Sequence, residues 1–190
     1  MRRWIVWVVL AGHLLWSLPA GAVSQQLTNP GVPITFGDTG QTPAGGGTLV
    51  VWTLSNRTSG TGRISARADL GAGAHAALFE LRCRFSFTGT NVVGSALELY
   101  LSTSDGTNPD GEVGTADAAL TADQRRALLF VGLLPVYQTA SNTTMTISFR
   151  NLYLPQRYVS AAMWNATGLP TETSTTKHRC VLTPMNPEMQ

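Results

Sequence analysis

The sequence predicts an all-β protein: an antiparallel β-sandwich, in its simplest form a jelly roll, preceded by an extended N-terminal arm. Three observations carry this. Apolar and polar residues alternate with period two along most of the chain, turn-rich breaks separate the alternating runs, and no alternation of strands with crossover helices occurs. A parallel α/β sheet needs such crossovers, which argues against that class.

The chain opens MRRWIVWVVLAGHLLWSLPAGAVSQ. Arg2 and Arg3 precede an apolar run over residues 4–16, and the small residues Ala20, Gly21 and Ala22 follow. A basic start, an apolar stretch of this length and an A-x-A site together make a secretory signal pattern. The run is shorter than the roughly 20 residues that cross a bilayer. Residues 1–25 are therefore expected to be a hydrophobic leader, cleaved after Ala22, retained as an arm or anchor, or translated ahead of a later start. Residues 26–47 are rich in Gly, Pro, Thr and Asn, cannot hold a helix, and read as an extended arm lying off the sandwich against neighbouring chains. Residues 48–190 are expected to form the sandwich.

The clearest strand covers residues 79–87. Phe79, Leu81, Cys83, Phe85 and Phe87 alternate with Glu80, Arg82, Arg84 and Ser86, which predicts a half-buried antiparallel strand with its aromatics in the core. Similar runs cover 48–54, 63–68, 95–103, 128–138, 144–154, 157–165 and 177–183. One short helix is expected where Thr121 and Gln124 take the first and last places of a T-x-x-Q capping box.

Charge separates the function classes. Only 13% of the 190 residues are charged, and Arg2 and Arg3 account for the whole net charge of +2. Phosphate binding needs a concentrated basic footprint, and the short pairs Arg82/Arg84 and Arg125/Arg126 read as solvated faces, so no nucleic-acid partner is expected. A weakly charged surface suits contact with other proteins.

Candidate chemistry is sparse. His75 and His178 stand apart from any Cys, Asp or Glu at metal-ligand spacing, and no nucleophile motif points to either. Asp105, Asp110, Glu112 and Asp117 crowd one polar stretch, but the EF-hand register does not occur there, and Asp-Gly and Asn-Pro are ordinary turn formers. A structural loop is expected, with a calcium site or a glycosidase carboxylate pair as the alternatives. Cys83 and Cys180 are the only cysteines, a disulfide in an oxidising compartment or buried small side chains in a reducing one. Sequons begin at Asn56, Asn142 and Asn165. The aromatics Trp52, Trp164, Tyr100, Tyr137, Tyr153 and Tyr158 scatter over several strands, which favours core or subunit packing over a sugar platform. No catalytic, cofactor-binding or metal-ligating residues are assigned, and no enzyme is expected.

The runs GDTGQTPAGGGTLVVWTLSN, GRISARADLGAGAHAALFELR and ELYLSTSDGTNPDGEVGTADAAL resemble the jelly-roll-like head decoration or cement proteins of tailed bacteriophages, over about residues 36–184. The resemblance implies a non-enzymatic virion protein on the capsid surface, assembled in the host cytoplasm. Its partners would be the major capsid protein and copies of itself, as a homotrimer. The leader departs from that pattern, since capsid parts need no export. It supports the alternative, an exported carbohydrate-binding or adhesion module that is secreted or periplasmic. A membrane contact is expected only if the leader is kept as an anchor.

Overall fold

A computed structural model of the protein describes residues 31–71, 78–90, 95–107, 109–137 and 141–185. The leader and the first residues of the expected arm lie outside the described residues, as does His75. No helix among the described residues is long and apolar enough to cross a membrane.

Among the described residues eleven strands form two sheets. The first contains β1 (Ile34–Gly37), β2 (Thr48–Val51), β5 (Leu78–Ser86), β9 (Thr144–Tyr153) and β11 (Arg179–Pro184), in the order β2-β1-β11-β5-β9. The second contains β3 (Gly62–Ile64), β6 (Ala96–Ser104), β7 (Ala118–Leu120), β8 (Leu129–Pro135) and β10 (Tyr158–Ala166), in the order β7-β3-β10-β6-β8, with β4 (Ala68–Asp69) also on β10. Every pairing is antiparallel except β1 with β2. The protein is an antiparallel β-sandwich.

Period-two alternation explains the layering. Phe79, Leu81, Cys83 and Phe85 of β5 face Leu97, Leu99 and Leu101 of β6 and Val159, Ala161 and Met163 of β10 in one buried cluster. At its centre Trp52 meets Phe36 and Phe85 edge-on, with ring centroids 6.5 and 6.4 Å apart, the geometry that aromatic quadrupoles favour. A smaller cluster forms outside the second sheet, where Ile64 and Ala162 meet Val113, Leu120 and Leu128 from the connection between β6 and β8. That connection carries α1 (Ala122–Arg126), and Thr121 and Gln124 exchange both bonds of the capping box.

The chain from Ile34 onward belongs to the sandwich, a correction to the arm expected over residues 26–47. Strand β1 lies between β2 and β11, and Phe36 is fully buried. Asp38 anchors the segment as well: its Oδ1 accepts from the Leu54 and Ser55 amides at 3.0 and 3.3 Å and from the Ser55 hydroxyl. Gln41 donates to the carbonyls of Thr175 and His178. Ile34 and Phe36 are only two inward residues among glycines and prolines, too short a pattern to announce a strand.

Candidate functional site

Among the described residues, His178 and the acidic side chains singled out in the sequence do not converge. His178 is fully buried; its Nδ1 accepts from the Ser86 amide at 3.2 Å, and its Nε2 lies 2.9 Å from the Glu172 carbonyl. One ring nitrogen therefore accepts and the other donates, which describes a neutral structural imidazole. Burial lowers its pKa from 6.5, against a smaller opposing contribution from the Glu172 hydrogen bond. The folded state thus binds fewer protons than the unfolded state below pH 6.5, and stability present above that pH is lost as pH falls toward the lower folded value. Urea midpoints are expected to fall between pH 7.5 and pH 5, and His178→Gln should flatten that slope.

The acidic stretch is spent on local structure. Asp110 Oδ2 accepts from the Thr103 amide and hydroxyl at 2.8 and 2.7 Å, and Asp105 accepts from the Thr107 amide in an Asx turn. Asp117 holds Arg63 through two bonds of 2.7 Å and also accepts from the Thr53 hydroxyl. Among the described residues no three His, Cys, Asp or Glu side chains group as a metal site. The sequon at Asn165 is committed too: this buried side chain donates to the Arg57 and Leu169 carbonyls and accepts from Thr167.

The feature that stands out is an edge. Among the described residues, strand β8 ends the second sheet and pairs only with β6. Natural edge strands are usually shortened, covered or charged, because their free backbone groups template pairing with another chain. Over its seven residues, LFVGLLP, β8 carries no charge. Leu129, Phe130 and Leu133 are 46%, 52% and 48% exposed. Sequence alternation placed a strand here but not its position in the sheet. A bulge sets the side chains: Tyr100 pairs with Phe130 but Leu99 with Gly132, so Val131 is the extra residue. Phe130 and Leu133, three apart, consequently share the outer face beside Tyr100 and Glu98.

That face is built rather than frayed. The Phe130 and Tyr100 rings meet at 5.4 Å, and the Tyr100 hydroxyl donates to Glu98 at 2.6 Å. Burial, and then the Glu98 bond, push the phenol up to about 12, which keeps it a donor. Arg125 binds the same Glu98 oxygen at 2.8 Å while its guanidinium lies 4.4 Å from the Trp164 ring. Along the rim Phe149 of β9 sits over Gly132, where any side chain would come within 2.3 Å of the ring. The edges of both sheets thus meet on one side of the sandwich. Of the scattered aromatics, Trp52 is core, while Tyr137 and Tyr153 are exposed.

No protein-family model and no curated protein matches the chain.

Proposed function

We propose that this protein is a non-enzymatic structural protein of a bacteriophage virion, a decoration or cement protein that stabilises the head by bridging capsid subunits. The observation that carries the proposal is the uncharged apolar edge at β8, with Leu129, Phe130 and Leu133 turned to solvent. Such an edge suits burial against another subunit, by apolar contact and by strand addition. Residues from Ile34 onward are occupied in their own sheet, so β8 takes the bridging role that the arm would have had. Wiring supports the reading as well. The order β1-β11-β5-β9 against β3-β10-β6-β8 is what a rolled-up hairpin of eight strands gives, the jelly-roll arrangement found in viral capsid and lectin domains. Repetition over a shell turns a modest contact into firm attachment, and copies of the chain would close as a trimer.

The test is binding to heads assembled without this protein. Wild type is expected to bind, and the double variant Phe130→Glu/Leu133→Lys to lose binding while its stability changes by under about 1 kcal/mol, as for surface positions. Retained binding by a folded double variant would remove the edge mechanism. No binding by wild type would overturn the proposal.

A second reading, an exported carbohydrate-binding or adhesion module, is favoured by the signal-like pattern of residues 1–25. The Cys83–Cys180 disulfide fits either reading, because such bonds persist in secreted, periplasmic and virion-surface proteins.

A further inference from the structure

The outer face of the first sheet carries a groove of about 460 Å³ over β9, β5 and β11, a volume in the range of small-ligand sites. Arg82, Arg84 and Arg179 line it, with the hydroxyls of Thr144, Thr146 and Thr183 around them. We propose that this groove binds an anionic sugar, its carboxylate held between the guanidinium groups and its hydroxyls by the threonines.

Register makes the argument. Arg84 of β5 stands directly opposite Arg179 of β11, and Arg82 is opposite Val181, one diagonal step from Arg179. Like charges directly opposed across a sheet destabilise it, so this local rule is broken at the middle of the sheet, where a pair of small polar residues would fit better. Neutralisation from within is incomplete. Glu80 is the one carboxylate lining the groove among the described residues, and it pairs with Arg150 at 3.6 Å. Arg82 and Arg179 have no ion pair or side-chain hydrogen bond among the described residues. Arg84 gives one bond to the Thr176 carbonyl, and its buried Nε has no partner. Its pKa is lowered by burial and then by Arg179, in keeping with crowded positive charge. Violations of local rules without an internal compensation mark functional sites. Guanidinium forks match carboxylate geometry.

A sugar fits better than an acidic peptide. Peptides gain affinity by pairing their backbone with a free strand edge, but β5 and β11, which carry the three arginines, are paired on both sides, and β9, the edge strand, brings the threonines Thr144 and Thr146 to the groove. Around its arginines the groove therefore offers side chains. Hydroxyls that both donate and accept suit sugar hydroxyl groups. The proposal stands apart from the shell reading and would give the exported reading its site.

The test is titration of the full chain at physiological salt with an oligogalacturonate, its methyl ester and a glutamate oligomer of equal charge. Saturable binding is expected for the uronate alone, at least tenfold weaker in Arg82→Gln and in Arg179→Gln. Without ligand, Arg179→Gln is expected to unfold at the same temperature or higher, because it removes a like-charge pair; a merely structural arginine would lower it. Both variants should still bind heads as wild type does if the shell reading holds, so failure of one proposal is distinguishable from failure of the other. Equal binding of the ester, equal binding of the glutamate oligomer, no uronate binding, or unchanged affinity in both variants would overturn the proposal.

Discussion

Phe85→Ala is expected to lower the unfolding free energy by about 3–5 kcal/mol, the usual cost of a phenylalanine removed from a packed core. Phe85 is fully buried, one residue before the end of β5. Its ring meets Trp52 edge-on at 6.4 Å and the His178 ring at 6.1 Å. Deleting it removes apolar burial, two ring contacts, and the packing that seats a buried imidazole. Since domains are stable by about 5–15 kcal/mol, the variant is expected to sit near the threshold of folding. Urea unfolding followed by tryptophan fluorescence, to which the buried Trp52 contributes, reads the effect. Phe130→Ala is the control, because its ring is half exposed and truncation there should cost far less. A loss below about 1 kcal/mol for Phe85→Ala would contradict the packing described here.

Removing the disulfide is expected to cost about 2–5 kcal/mol. Cys83 and Cys180 are register partners on β5 and β11, separated by 97 residues in sequence, and both are fully buried. Closing so long a loop restricts the unfolded chain more than a short loop would, which places the expected value toward the upper end. The double variant Cys83→Ala/Cys180→Ala, compared with wild type in urea, measures it. Burial adds a second expectation: a thiol reagent with reductant should label the native protein far more slowly than the urea-unfolded one. Two free thiols in unfolded, unreduced protein isolated from culture medium or from virions would contradict the bond.

The compartment question turns on the same pair. Cytoplasmic assembly keeps thiols reduced, whereas a virion surface or an exported protein meets oxidising conditions. The disulfide is compatible with both proposed locations.

The sequence by itself determined the strands that are long and one-sided. Residues 79–87 announced β5 because one face of a sheet is dry and the other wet, and side chains alternate between them. The same rule marked β6, β9 and β10, and the Thr121 box marked α1 because a helix start needs acceptors for its free amides. Two short strands, β1 and β7, escaped, whereas β2 and β3 fell on the runs at 48–54 and 63–68. Ile34 and Phe36 in β1, and Ala118 and Leu120 in β7, offer at most two inward side chains each, too few to stand out from turns.

What only the tertiary structure decided is who stands beside whom. Pairing across 97 residues is a property of sheet order, so sequence left Cys83 and Cys180 open between a bond and two thiols. The apolar run at residues 128–138 reads as a strand wherever it lies; that it ends a sheet among the described residues, with Phe130 and Leu133 outward, depends on the bulge at Val131 and on the sheet order. Arg82 and Arg84 looked like a solvated face because their crowding comes from Arg179, which is distant in sequence and one strand away in space. Local alternation fixes which way a side chain points, and long-range register fixes what it meets.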